Sequence, residues 1–348
     1  MVRGPLHGIA RYALELARRL PALEPGWQFE GLVGPGFEAN ELGDLAPRVP
    51  LVRTETDFLS ALEQPTLAAV LLRARPDLFH ATSFSVPALW PGRLVATIHD
   101  ANHLALPESV SLTHTAYYRL VVAPRAQRAR ALITVSEFSR REVSQHLGLA
   151  PERLQVIFNG VDESFRPTPP SELDDFRARR GLPQKYFAAI GSVKPHKNLA
   201  VLKTLVEGAP APVVLLAGRG ARRALDFPEQ TLELSALPDD DLVRFYAGAI
   251  AVLVPSRYEG FGLPALEAMA CGAAVIASAS GAHPEVVGQG GLLISAEDPR
   301  AWREAMARVF NDEALRRRLG EAGRERALRT SWDDCAKQTL EVYRRALR

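Results

Sequence analysis

The chain has 348 residues, 47% of them hydrophobic and 24% charged, with a formal net charge of +2. That length suits about two domains of ordinary size, each with its own core, and the balanced charge, with no nucleic-acid motif, argues against an RNA- or DNA-binding protein. No apolar run approaches the ~20 residues of a membrane span, and no apolar stretch of a secretory signal follows Met1 to Pro5. The expected setting is therefore the cytoplasm, with peripheral contact at the inner face of the membrane left open. Cys271 and Cys335 lie far apart, lack zinc or redox spacing, and read as reduced thiols.

Short apolar runs alternate with helical periodicity. A helix is expected over 9–20, a strand over 28–33, a helix over about 58–74 and a short strand over 78–80. Strands over 94–98 and 131–135 follow, separated by a helix over 111–129 and trailed by another over 137–147. Their β-branched content, bounded by glycine, proline or polar turns, fits strands buried on both faces. The run Phe165-Arg166-Pro167-Thr168-Pro169-Pro170 puts three prolines in four residues and reads as a linker. A second series has strands over 186–191, 213–218, 232–235, 251–254, 274–276 and 292–294, with helices starting near Asn198, Asp239, Leu263, His283, Pro299 and Asp312. The last segment is helical, with Leu340, Val342, Tyr343 and Leu347 roughly on one face. The predicted class is α/β: two doubly wound, Rossmann-like parallel-sheet domains facing a cleft, divided as 1–166 and 167–330, with a closing helix over 331–348 that can cross back to the first domain. Ligands of such sheets sit at the carboxyl ends of the strands.

The string from Arg257 to Gly272, RYEGFGLPALEAMACG, follows one of these strands. A helix is expected from Leu263, with Pro264 in the first turn, where its missing N–H is harmless. Gly260 and Gly262 allow tight turning and close approach of a ligand. Amides at the helix start, together with the helix dipole, form a seat for a diphosphate. Glu259, before the seat, and Glu267, further along the helix, would repel phosphate; they make sense as acceptors for neutral hydroxyls, such as those of a sugar and a ribose.

This string resembles the E-x7-E motif of retaining glycosyltransferases of family four, which have the GT-B fold. The resemblance implies that Glu259 contacts the donor-sugar hydroxyls. It implies that the backbone of Phe261 and Gly262 holds sugar or phosphate oxygens, with Gly260 and Leu263 in the same donor site, and that Glu267 binds the ribose. The segment from Gly191 to Asn198, GSVKPHKN, is similar to the family's G-T-L-x-P-R-K-N segment. A lysine at a strand end, facing a diphosphate, neutralises charge that develops on the leaving group, and Lys197 is the residue expected to do so. Ser192 and His196 stand where many members carry arginine. His196, neutral at pH 7, takes part of that role with weaker cationic support.

Thr97-Ile98-His99-Asp100 resembles the family's T-x-H-D segment, which implies that His99 faces the transferred sugar. The same resemblance puts the nucleobase near Ala236 and Leu237. Ser136 reads as a helix N-cap and Asn159-Gly160 as a turn at the domain junction. Asp239-x-Asp241 formally matches the D-x-D metal motif of the other glycosyltransferase fold, but it opens a helix after a proline, and capping accounts for it. No protein-held metal and no cofactor are expected beyond the nucleotide-sugar substrate. Arg119, Arg125, Arg128 and Arg130, around apolar Leu120 to Ala123, form either an ordinary surface or one that touches anionic lipid head groups.

The resemblance does not reach the start of the chain. Family members open with a short strand, a glycine-rich loop and a G-x-x-R-Y helix; here Gly8-Ile9-Ala10-Arg11-Tyr12 arrives with no counterpart of the strand. In a doubly wound sheet that strand is central, so truncation and a gap in the first-domain core are expected. Gly8 remains a candidate for approaching the donor phosphate or the acceptor. The G-I-A-R-Y and V-K-P-H-K-N segments look most like the mannosyltransferase branch of the family. The expected activity is retaining transfer of a hexose, mannose from GDP-mannose, to a glycan, lipid-linked or small-molecule acceptor, as in polysaccharide biosynthesis. The alternatives are a non-catalytic nucleotide-binding partner subunit and a sugar-nucleotide epimerase on the same fold; the E-x7-E string disfavours the epimerase.

Overall fold

The computed structural model describes residues 8–35, 37, 48–56, 60, 62–106 and 112–348. The chain divides into two compact units, one of Met1–Gly160 with Trp332–Arg348, the other of Val161–Ser331. The residues just ahead of the proline run therefore group with the second unit, and there is a packing reason. Phe165 is buried against Tyr246, ring centroids 6.3 Å apart, and Val161 bridges to Ser331. Pro170 opens the helix Pro170–Arg180, at a position where proline is tolerated. Among the described residues, no helix is long and apolar enough to cross a membrane.

The second unit is a six-stranded parallel sheet of β7 (Phe187–Ile190), β8 (Val213–Leu216), β9 (Leu232–Leu234), β10 (Ala251–Val254), β11 (Val275–Ser278) and β12 (Leu292–Ile294). Its order is β12-β11-β10-β7-β8-β9. The chain winds outward from β7 through β8 to β9, then returns to the other side of β7 with β10. β7, β10 and β11 are buried along their whole length, because helices cover both faces. Phe187, Leu215, Leu253 and Ile276 pack with Trp302 and Met306 on one face.

The first unit has a parallel sheet in the order β3-β4-β5-β6: β3 (Phe79–Ala81), β4 (Leu94–Thr97), β5 (Ala131–Thr134) and β6 (Leu154–Val156). A separate parallel pair, β1 (Gly31–Val33) and β2 (Leu51–Arg53), stands apart from it. The three-residue strands β2 and β6 are not among the predicted elements. The opening helix Gly8–Leu23 packs on the closing helix Trp332–Leu347. Tyr12 lies against Trp332, Arg344 pairs with Glu24 at 2.6 Å, and Tyr343 Oη meets His80 Nδ1 at 2.5 Å.

The expected helix over 58–74 is observed as Glu63–Ala74, and residues 57–59 and 61 lie outside the described ones. The helix expected over 111–129 is interrupted by a π-helical stretch, Tyr118–Val122, one residue ahead of Pro124, which has no N–H to continue an α-helical ladder. Arg125 points inward from here, donating to the carbonyls of Pro87 at 2.9 Å, Trp90 at 3.0 Å and Gly92 at 3.1 Å. It fastens a loop rather than contributing to a lipid-facing surface.

Candidate active site

A doubly wound sheet binds ligands at the carboxyl ends of its strands, beside the point where strand order reverses. In the second unit that point lies between β7 and β10. The loops leaving these two strands are bound to each other: Arg257 N–H donates to His196 O at 2.8 Å. Asn198 Nδ2 donates to Pro255 O at 3.1 Å and to Ala296 O at 2.9 Å, which also fastens the loop after β12. Asn198 ends the 3-10 turn Pro195–Lys197 at φ 51°, a left-handed conformation asparagine accepts better than most residues.

From this frame Lys197 Nζ reaches Glu259 Oε1 at 2.8 Å. The side chains are 25% and 11% exposed, so the pair is only partly screened by water. Burial works to raise the Glu259 carboxyl pKa, but the Lys197 charge, with hydrogen bonds from Lys197 and Ser256, holds it below the usual carboxylate value. The side chain is thus an ionised hydrogen-bond acceptor. Its backbone is seated on Gly281: Ala282 N–H donates to Glu259 O at 3.0 Å. A Cβ at Gly281, where φ is +62°, would stand 2.7 Å from Glu259 N.

The helix Leu263–Ala270 begins three residues after Glu259's neighbour Gly260, with Gly262 at its N-cap, Pro264 in its first turn and no capping side chain. Gly262 has φ +100°, and a Cβ there would lie 3.0 Å from His283 Cδ2. His283 is fully buried. Ser278 Oγ donates to Ser256 O, so it accepts from His283 Nδ1–H at 2.9 Å. Burial lowers the His283 pKa, which keeps the ring neutral beneath the glycine turn. Glu267 is buried inside the helix, and Tyr246 Oη–H donates to its Oε2 at 3.3 Å.

The remaining predicted residues are spread more widely. His196 is buried beside Lys197, its Nδ1 has no hydrogen-bond partner, and burial followed by the Lys197 charge lowers its pKa to about 4. Ser192 Oγ accepts from Lys194 N–H at 3.4 Å. Ala236 is exposed and Leu237 half-buried, in the loop after β9. His99 and Gly8 belong to the first unit. His99 follows β4, donates through Nε2 to Thr82 O at 3.0 Å and stands edge-on to Tyr12 at 4.9 Å. Gly8 is the exposed first residue of the opening helix.

Asp241 does not cap its helix: Pro238 is the N-cap, without a side-chain bond. Asp241 instead accepts from Arg180 Nε at 3.0 Å and from Arg179 at 3.3 Å, tying Asp239–Ala247 to the helix Pro170–Arg180. Ser136 does cap its helix, accepting from Ser139 N–H at 2.9 Å. Among the described residues, no group of three or more His, Cys, Asp or Glu side chains is arranged to hold a metal ion.

The structure therefore gathers His196, Lys197, Glu259 and the Gly262 turn at one strand reversal. It adds Asn198, His283, Ser278 and Gly281, whose parts depend on contacts between loops distant in sequence. The signal for Asn198 was its place at the end of the GSVKPHKN segment.

Residues 171–326 match the family described as Glycosyl transferases group 1, and residues 6–165 match Glycosyltransferase Family 4. The chain is 29% identical over 376 aligned residues to O-antigen chain mannosyltransferase B of Escherichia coli, covering 99% of this chain and 97% of that protein. It is 32% identical to the D-inositol 3-phosphate glycosyltransferase of Saccharomonospora viridis, over 97% of this chain and 88% of that one. Among solved structures, Anabaena HepE in complex with UDP and glucose is similar with a TM-score of 0.79 at 21% identity, over 99% of this chain and 98% of that one. Sucrose-phosphate synthase from Thermosynechococcus elongatus gives a TM-score of 0.79 at 21% identity, over 97% and 93%. Two Rossmann-like units with this loop pair define the class: a glycosyltransferase of the GT-B fold. More narrowly, the chain belongs to the family 4 glycosyltransferases, with the group 1 domain as its second unit.

Proposed function

We propose that the protein is a retaining hexosyltransferase. It takes its sugar from a nucleoside-diphosphate donor, GDP-mannose ahead of others, and passes it to a glycan, lipid-linked or small-molecule acceptor. It works in the cytoplasm, in polysaccharide biosynthesis, without a protein-held metal or cofactor. The observation that carries this reading is the Lys197–Glu259 pair, 2.8 Å apart, beside a helix start with no capping side chain. The ammonium and the helix-start dipole favour the developing charge of a nucleoside-diphosphate leaving group. The Glu259 carboxylate, held ionised, accepts hydrogen bonds from sugar hydroxyls. The acceptor hydroxyl attacks from the face that the diphosphate leaves, and the departing phosphate takes its proton. Mannose is favoured because a mannosyltransferase matches over nearly the whole chain. The roles of His99 and Gly8 rest on the family resemblance alone.

A thermal-shift panel of GDP-, UDP- and ADP-sugars tests the donor, because a ligand at a hundred times its Kd adds about 2.7 kcal/mol to native stability. GDP-mannose should give the largest shift, and the glycosidic product should keep the donor's anomeric configuration. Stabilisation by UDP-sugars alone would remove mannose from the reading, and an inverted product would remove the retaining mechanism. An epimerised nucleotide sugar without glycosidic product would overturn the transferase reading itself.

A further inference from the structure

The Lys197–Glu259 pair has one fixed member and one free one. Ala282 N–H donates to Glu259 O at 3.0 Å, and two residues earlier Arg257 N–H donates to His196 O at 2.8 Å, so the backbone that carries the carboxylate is tied to two other loops. Gly281 packs against the same backbone, where a Cβ would stand 2.7 Å from Glu259 N. The side chain that results is 11% exposed. Lys197 ends the 3-10 turn Pro195–Lys197, but its ammonium stands on a flexible four-carbon stem and the side chain is 25% exposed. Of the two charges, the ammonium is the one that can move.

The other charged and titratable groups around Glu259 do not replace it. His283, packed beneath the same turn, is fully buried and neutral, with its Nδ1–H directed to Ser278. His196 is buried and neutral as well, and the exposed Lys194 acts on it rather than on Glu259. Arg257, on Glu259's own loop, pairs with Glu297 at 2.8 Å. Ser256 offers a hydroxyl without charge, and the helix Leu263–Ala270 contributes Glu267, a second carboxylate. A nucleoside diphosphate on the start of that helix adds negative charge beside Glu259 and draws the ammonium towards the phosphates. Both effects disfavour an ionised Glu259. A nucleotide sugar exerts them too, but its sugar hydroxyls donate to the carboxylate and favour the ionised form. Transfer of the sugar removes those donors.

We propose that Glu259 distinguishes the donor from the spent nucleotide by its protonation: it stays an ionised acceptor while a nucleotide sugar is bound, and takes a proton from solvent when nucleoside diphosphate is bound alone. This rests on the nucleotide-sugar reading of the site. The proton returns to solvent when the nucleotide leaves and Lys197 pairs with Glu259 again. The sign follows: the complex with nucleoside diphosphate carries a proton that the free protein lacks, so that complex weakens as pH rises. The nucleotide-sugar complex carries no such proton and lacks this dependence. Re-formation of the ion pair thus favours release of the leaving group over release of the donor.

The test counts protons by titration calorimetry in buffers of different ionisation enthalpy, on the full chain and on E259Q, without acceptor. The ligands are GDP and UDP on one side, GDP-mannose and UDP-glucose on the other. E259Q keeps every phosphate and histidine titration, so native uptake minus E259Q uptake belongs to Glu259. At pH 6.5 that difference should be about half a proton or more for the nucleoside diphosphate that binds, and close to zero for the corresponding nucleotide sugar. Between pH 5.5 and pH 7.5 the Kd of the diphosphate should rise about tenfold in the native chain relative to E259Q. Equal uptake by the native chain and E259Q overturns the proposal, as does an equal difference for diphosphate and nucleotide sugar. If none of the four ligands binds, the nucleotide-sugar reading fails and the proposal fails with it; binding without the difference overturns the proposal alone.

Discussion

Replacing Lys197 with methionine removes the ammonium 2.8 Å from Glu259 while keeping most of the side chain's volume. What it leaves is a nearly buried carboxylate without its main counter-charge. Breaking a fully buried pair in this way costs about 3–5 kcal/mol. Lys197 keeps a quarter of its surface in water, so about 2–3 kcal/mol is the reasonable share. For a unit of this size that corresponds to a fall in Tm of roughly 4–12 °C. The pH dependence is more diagnostic than the size. In the native protein the Glu259 pKa lies below the usual 4.5, so its contribution is present above that value and is lost as pH falls through the lowered one. In K197M, burial acts with less opposition and raises the carboxyl pKa. Stability is then lost as pH rises through the raised value, and the sign inverts. Differential scanning calorimetry from pH 4 to pH 8, without nucleotide, reads both effects. Adding E259Q to K197M should recover at least half of the loss at pH 7. A K197M protein with native Tm at pH 7, or with a loss that does not depend on pH, would refute the reasoning.

E259Q should cut transfer about 100-fold or more, because the charged acceptor proposed for the sugar hydroxyls is gone; nucleoside diphosphate, measured by calorimetric titration, should bind within a few-fold of normal. G262A places a side chain at φ +100° and a Cβ 3.0 Å from His283, and should cost about 1–3 kcal/mol in a denaturant titration. N198A strips the donors from the Pro255 and Ala296 carbonyls and should cost about 2–3 kcal/mol, with donor affinity falling because two loops lose their common anchor. If N198A binds donor as the native chain does, the anchoring role is wrong.

Much of the candidate site's local structure was legible because its signals are local. A β-branched strand, two glycines and a proline in the next helical turn occupy fewer than twenty consecutive residues, and the observed elements Ala251–Val254 and Leu263–Ala270 match the expected ones. What connects that loop to the rest was not legible. Gly281 is required by the backbone of Glu259, and His283 by the space that Gly262 leaves open; neither relation has a period or a motif. The expected capping by Asp241 failed for a similar reason: arginines some sixty residues away in sequence hold its carboxylate. The π-helical stretch escaped because the helical pattern continues through it.

The closing helix has a consequence for biogenesis. Trp332, Tyr343 and their neighbours complete the first unit, yet they are translated after all of the second. On the ribosome the second unit holds every strand of its own sheet before the first has all its parts. Tyr12 and His80 therefore wait for partners encoded more than 250 residues downstream. The order of synthesis and the order of completion run in opposite directions. A nascent chain stalled just short of Trp332 would hold all of the second unit but lack the last segment of the first.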